Sequence, residues 1–138
     1  MIGEGTTTSR SSRVLVVDDE RHTARLLEFI LKRMGYHDAV AHDGESALAT
    51  ATSYLPDAVL LDLELPRMSG IEVLRQLRER PGFPRMAVII LTARSFDTMP
   101  DELIEAGANS YCTKPIAPST LSRTLNELNV PPVLNTPS

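Results

Sequence analysis

Short apolar runs alternating with helical periodicity constrain this chain more than any other feature. The run Ala58-Val59-Leu60-Leu61 lies between Pro56 and Pro66 and is apolar at every position. A run this short, flanked by prolines, fits a parallel strand buried on both faces. Val14–Val17, Ala39–Ala41, Ala87–Leu91 and Tyr111–Thr113 are similar runs. Between them the apolar spacing changes to three and four. Ala24, Leu27, Leu31 and Met34 mark one helix, with Leu26 and Ile30 widening its apolar face and Glu28 and Lys32 on its solvated side. Gly35 closes it. Asp43-Gly44 leads into a helix through Ala47, Leu48 and Ala51 that stops near Pro56. Ser69-Gly70 opens one carrying Ile71, Leu74 and Leu77, with Val73 at its margin, and Pro81-Gly82-Phe83-Pro84 ends it. A short helix is predicted from about Pro100 to Ala106, capped near Thr98 or Met99 and stopped by Gly107. The last carries Leu121, Leu125 and Leu128 and breaks at Pro131-Pro132. Five strands alternating with five helices imply right-handed crossovers and an α/β fold, with helices on both faces of a parallel sheet.

The chain has 138 residues, enough for one domain with a real core. Residues 1–12 are rich in Thr, Ser and Gly and bury too little to offset their ordering entropy, so they are expected to be a disordered tail. The domain is expected over 13–129, with a polar tail over 130–138. A net charge of -4 argues against direct nucleic-acid or anionic-membrane binding. Cys112, the one cysteine, excludes an internal disulfide and should face away from Tyr111 as a small buried hydrophobe. His22, His37 and His42 lack ligand spacing and are expected at the surface. No run is long enough to span a membrane, and the N-terminus has no signal-peptide core, so a cytoplasmic location is expected.

The strands end in residues with chemistry. The first runs into Asp18-Asp19-Glu20, the third into Asp62, the fourth into Thr92 and the fifth into Lys114. In a parallel sheet these ends face one way, so the residues converge on the edge where open α/β sheets bind ligands. Taken singly they have plainer readings: the Asp-Asp pair a helix cap, Thr92 a turn residue, Lys114 a surface charge. Together, three carboxylates repel and need a compensating cation. Mg²⁺ suits oxygen ligands of this kind. Carboxylates, Mg²⁺, a hydroxyl and a lysine suit phosphoryl transfer, with one carboxylate as nucleophile.

At this point a resemblance enters. Val16-Val17-Asp18-Asp19-Glu20, Leu60-Leu61-Asp62-Leu63-Glu64-Leu65-Pro66, Leu91-Thr92-Ala93 and Thr113-Lys114-Pro115 resemble the receiver domain of two-component response regulators, over roughly Arg13 to Leu128. The resemblance implies a flavodoxin-like (βα)5 doubly wound sandwich with strand order 2-1-3-4-5. It implies Asp62 as phosphoacceptor, with Mg²⁺ held by Asp18, Asp19, Asp62 and the backbone carbonyl of Glu64. Thr92 and Lys114 would bind phosphoryl oxygens, Lys114-Pro115 would be cis, and small Ala93 would leave the site open. Thr92 and Tyr111 would be the switch pair, although Tyr111 also reads as ordinary packing. Glu64 and Arg94 stand at the rim, where they either pair over the pocket and slow hydrolysis or remain separate solvated charges.

The implied phosphodonor is a histidine kinase or histidine phosphotransfer protein. The implied readout is a downstream protein bound at the face of the fourth helix, fifth strand and fifth helix. Phe96 and Met99 either add a partner surface there or pack onto the sheet. Because the chain ends soon after the last helix, it is expected to act as a single receiver, not an enzyme although it assists its own phosphorylation and dephosphorylation. A monomer or weak phosphorylation-dependent dimer is expected. Two other readings compete. A haloacid-dehalogenase-like phosphatase also uses an aspartyl nucleophile with Mg²⁺, but its Asp-x-Asp follows the first strand. A phosphorylation-independent pseudo-receiver would bind partners without taking phosphate.

Overall fold

The computed structural model describes residues 12–80 and 85–132. Residues 1–11 and 133–138, the greater part of the expected tails over 1–12 and 130–138, and the helix stop at Pro81-Gly82-Phe83-Pro84 lie outside the described residues. Five strands form one sheet in the order β2-β1-β3-β4-β5, all parallel. They are β1 (Arg13–Val17), β2 (His37–Ala41), β3 (Ala58–Asp62), β4 (Ala87–Thr92) and β5 (Ser110–Thr113). Helices alternate with them: α1 (Arg21–Arg33), α2 (Gly44–Tyr54), α3 (Gly70–Glu79), α4 (Asp101–Ala106) and α5 (Pro118–Glu127). The α/β architecture and the flavodoxin-like order 2-1-3-4-5 are those expected.

The period of two along each strand divides the core into two layers. Leu15, Val17, Val59, Leu61, Val88 and Ile90 face Ala47, Leu48, Val73, Leu74, Leu77 and Leu103 of α2, α3 and α4. Val14, Val16, Leu60, Ile89 and Leu91 face Leu27, Leu31, Leu121 and Leu125 of α1 and α5. Cys112 belongs to this second layer and Tyr111 packs on the first, as alternation requires. β1, β3 and β4 are covered on both sides, which is why their runs are apolar throughout. Each buried Leu contributes roughly 1.5–3 kcal/mol.

Several details differ from the sequence reading. Leu26 does not widen the apolar face of α1; it is 54% exposed, because Ile30 and Leu27 already fill the stripe against the sheet. Glu28 is half-buried instead of solvated, and burial together with nearby Asp38 raises its pKa. β2 begins at His37, two residues earlier than the apolar run, since Arg13 and Val14 of β1 pair with His37 and Asp38. α4 begins at Asp101 with Pro100 as its cap, whose carbonyl accepts the N–H groups of Leu103 and Ile104. α5 stops at Glu127, before the two prolines, where Asn129 adopts φ 62°. Val130, assigned to the tail, is buried and accepts the Tyr36 hydroxyl at 2.5 Å.

Candidate phosphoryl-transfer site

The sheet's hydrogen-bond ladder continues past the carboxyl ends of the strands and fixes the loops there. The Asp18 N–H donates to the Ala41 carbonyl at 3.1 Å, Leu63 N–H to Leu91 at 2.9 Å and Lys114 N–H to Thr92 at 2.7 Å. Three strand-end side chains then make the same local bond to the amide two residues on, an Asx-type turn or its threonine analogue. Asp18 Oδ1 accepts from Glu20 N–H at 2.9 Å, Asp62 Oδ1 from Glu64 N–H at 3.1 Å, and Thr92 Oγ1 from Arg94 N–H at 3.0 Å. Asp18 thus makes a local turn bond and is not the helix cap of the plain reading, since Glu20 is the cap residue of α1. One oxygen of each acid remains for other partners.

Those oxygens converge. One carboxylate oxygen from each of Asp18, Asp19 and Asp62 lies within 4.8 Å of the others. Asp18 and Asp62 are buried and Asp19 is exposed, giving the cluster a dry floor and one wet wall. The Lys114 ammonium stands 2.8 Å from Asp18 Oδ2 and 3.4 Å from Asp62 Oδ2. Burial works against the lysine's charge, but the two carboxylates outweigh it and raise its pKa. Asp62 is pushed up to about 6, first by burial and further by the Asp18 charge, against the Glu64 amide and Lys114. One ammonium among three carboxylates leaves the cluster short of positive charge. Asp18 Oδ2, fully buried, has the ionic contact with Lys114 but no well-aligned hydrogen bond. An all-oxygen donor set with a buried, under-satisfied anionic oxygen fits a hard divalent cation.

Thr92 is buried at the end of β4. Lys114 precedes a cis bond to Pro115, as the resemblance implied. Glu64 and Arg94 are exposed on the two sides of the site, but no ion pair joins them in this structure. The Arg94 guanidinium instead lies 5.7 Å from the centroid of the Phe96 ring, where the π face attracts it. Phe96 and Met99 pack against the α2–α3 core layer, as does Tyr111. The Tyr111 hydroxyl donates to the Phe96 carbonyl at 2.8 Å.

Sequence reasoning missed three residues here. His42 follows the one strand whose end received no assignment; it is half-buried with Nδ1 3.0 Å from the Asp18 carbonyl. Its place after β2 was the available signal. Gly70 was read only as part of a helix start. A Cβ there would come within 2.5 Å of the Asp62 carbonyl oxygen and 2.7 Å of Leu63 Cα, so glycine lets α3 press against the backbone at the end of β3. No spacing rule reveals that contact. Leu26 lines a cavity of about 300 Å³ with Glu20, Thr23, Leu27, Lys114, Pro115 and Ile116.

Comparison with known proteins identifies the family. A family model described as "Response regulator receiver domain" matches residues 14–126. The chain is 44% identical over 110 residues to the DNA-binding response regulator MtrA of Mycobacterium tuberculosis, covering 79% of this chain and 46% of MtrA. It therefore spans about half the length of the curated relatives it matches. Among solved structures, the chemotaxis protein CheY4 of Vibrio cholerae superposes with a TM-score of 0.82 at 28% identity, covering 86% of this chain and 99% of that one. The receiver domain of a sensor histidine kinase from Pseudomonas aeruginosa PAO1, solved with magnesium coordinated in its active-site cleft, gives 0.78 at 28% identity, with 86% and 98% coverage. Nothing in these matches supports the haloacid-dehalogenase-like alternative, and Asp62-Leu63-Glu64 follows the third strand instead of the first. With four motifs on one sheet edge and a match running from β1 to α5, the chain belongs to the receiver domains of two-component response regulators.

Proposed function

We propose that Asp62 accepts a phosphoryl group in a Mg²⁺-dependent reaction and that the change of charge switches the binding of a partner protein. The observation that carries this reading is the convergence of Asp18, Asp19, Asp62 and Lys114 within ionic contact at the carboxyl edge of the sheet. Asp18, Asp19, Asp62 and the Glu64 carbonyl would hold the metal. When bound, Mg²⁺ supplies positive charge to the oxygens of the transferring group. Asp62 Oδ2 attacks phosphorus; the new O–P bond forms as the donor's N–P or acyl O–P bond breaks. The departing electron pair stays on the donor atom, which a phosphohistidine imidazole completes with a solvent proton. Glu64 N–H keeps Asp62 Oδ1 fixed, so the carboxylate is already oriented. Lys114 neutralises charge on the phosphoryl oxygens, and the Thr92 hydroxyl retains its proton to donate to one of them. The gathered carboxylates have less repulsion to overcome once a cation joins Lys114, which is why metal is required.

The donor in this reading is a histidine kinase or histidine phosphotransfer protein. The cavity beside Lys114, walled by Leu26, Leu27, Pro115 and Ile116, offers a donor apolar contact next to the reacting oxygen. The downstream protein would read α4, β5 and α5, where Tyr111 lies. No helix among the described residues is long and apolar enough to cross a membrane. With a net charge of -4, the domain is expected to act through protein contacts and in the cytoplasm, as a monomer or a weak phosphorylation-dependent dimer. The segments at 1–12 and after Val130 would flank the working unit.

The test is incubation with acetyl phosphate, followed by intact-mass measurement. The expected result is one added phosphoryl group with Mg²⁺, none with chelator and none for Asp62→Asn. An unmodified wild-type protein under these conditions would return the chain to the pseudo-receiver reading.

A further inference from the structure

The three acids of the site are not held alike. Asp18 Oδ1 accepts Glu20 N–H and its Oδ2 faces Lys114, while Asp62 Oδ1 accepts Glu64 N–H and its Oδ2 also faces Lys114. Among the described residues no hydrogen bond or ion pair holds the Asp19 carboxylate, which is exposed yet lies within 4.8 Å of the other two. Its direction is therefore set by its backbone, which begins with the peptide group linking Asp18 to Asp19. One hydrogen bond reaches this group among the described residues: His42 Nδ1 stands 3.0 Å from the Asp18 carbonyl oxygen. A carbonyl oxygen only accepts, so Nδ1 carries the proton and donates it. On the preceding peptide, Asp18 N–H goes to the Ala41 carbonyl at 3.1 Å, a backbone bond that most sequences could make. The next bond needs a side-chain donor, and His42 supplies it from the end of β2. The turn into α2 does not need the imidazole, because Asp43 Oδ1 caps that helix by accepting Ser46 N–H at 2.8 Å.

We propose that His42 is a positioning residue for the metal: by fixing the Asp18–Asp19 peptide it aims the Asp19 carboxylate at Asp18 and Asp62. This role deepens the phosphoacceptor reading above and rests on it. An exposed aspartate on an untethered peptide samples many directions, and a cation must gather it at an entropic cost. Here His42 holds the peptide before Asp19, and Asp18 Oδ1 holds the Glu20 amide after it, so Asp19 sits between two fixed points. The ordering is completed on folding, and the cation meets a ligand already turned towards it, as groups behind metal ligands commonly arrange. The role needs a donor at the distance of Nδ1 from the backbone and no charge on the ring. Asparagine, whose Nδ2 lies the same number of bonds along its side chain, should replace histidine. Leucine, with similar reach but no donor, should not.

The experiment titrates the unphosphorylated protein with Mn²⁺, which suits the same octahedral oxygen shell as Mg²⁺, and counts free ion by its EPR signal, with Mg²⁺ as competitor. His42→Leu is expected to weaken both ions about three- to tenfold, the range of one neutral hydrogen bond converted to affinity. His42→Asn should stay within about twofold of wild type, since it restores the donor. Thermal midpoints in chelator are measured beside the titration. A residue that only packed the β2–α2 turn would lower the midpoint in His42→Leu and leave metal affinity unchanged. His42→Ala carries the same expectation if His42→Leu does not fold. A loss below about threefold in His42→Leu overturns the positioning role and leaves the phosphoacceptor reading standing. A loss in His42→Asn as large as in His42→Leu overturns it too, because the ring and not its donor would then be what matters. Wild-type protein that takes up neither ion would overturn the metal reading, and the positioning role with it.

Discussion

Buried beside Asp18, the Asp62 carboxyl resists ionisation until the pH nears 6, against 3.8 in water. Its folded-state pKa is raised, so between those values the folded chain binds more protons than the unfolded one. Stability therefore falls as pH rises through this window when metal is absent. The full difference converts to at most about 3 kcal/mol. Asp62→Asn should remove that fall and unfold at a higher temperature than wild type at pH 7.5 in chelator. Parallel pH profiles for the two proteins would show that Asp62 is not strained. At this scale the acids, Thr92 and Lys114 were legible in the sequence, because each stands at the end of an apolar run. Whether Glu64 and Arg94 pair was not, since charge and proximity to the rim say nothing of a nearby aromatic face. Arg94 instead lies 5.7 Å from the centroid of the Phe96 ring.

Elements position the site by close approach, and α3 shows how. Gly70 leaves no room for a methyl group between the helix start and the backbone of Asp62 and Leu63. Gly70→Ala should cost about 1–3 kcal/mol of stability, as overpacking does. It should also slow phosphate uptake by moving the nucleophile. Unchanged denaturant midpoint and uptake rate would contradict the packing account. On α1, neighbours in sequence behave oppositely: Leu27 is 2% exposed and Leu26 54%. Leu27→Ala should cost about 2–5 kcal/mol and Leu26→Ala under about 0.5 kcal/mol by chemical denaturation. Equal losses would mean that α1 is rotated from its observed position. Helical periodicity located α1 but allowed a stripe one residue too wide, because it does not say how much sheet the stripe must cover. The start of β2 was misjudged for a related reason. On an edge strand, pairing with Arg13 and Val14 admits polar His37 and Asp38, which carry no apolar signal.

At the scale of the whole molecule, a carboxylate-rich edge closes an otherwise apolar sandwich, and the folded state is short of positive charge there. A ligand that binds only the folded state stabilises it by mass action. Mg²⁺ at tenfold excess over its Kd should contribute about 1.4 kcal/mol. That corresponds to a rise in Tm of roughly 3–7 °C for a chain of this size. Asp19→Asn, on an exposed side chain, should abolish most of the rise while leaving Tm in chelator nearly unchanged. An equal rise in wild type and Asp19→Asn would place the metal elsewhere. The layered architecture was readable because strand and helix periods alternate five times. The parallel direction of all five strands then followed from the helical crossovers between them.

The central claim, that this edge exists to phosphorylate Asp62, is tested most directly by locating the phosphoryl group. Borohydride reduces an acyl phosphate to an alcohol and leaves free carboxylates intact, so the modified aspartate becomes homoserine. After acetyl phosphate and Mg²⁺, peptide sequencing by mass spectrometry should find homoserine at position 62 and unmodified aspartate at positions 18 and 19. Homoserine at 18 or 19, or none at any of the three, would contradict the account.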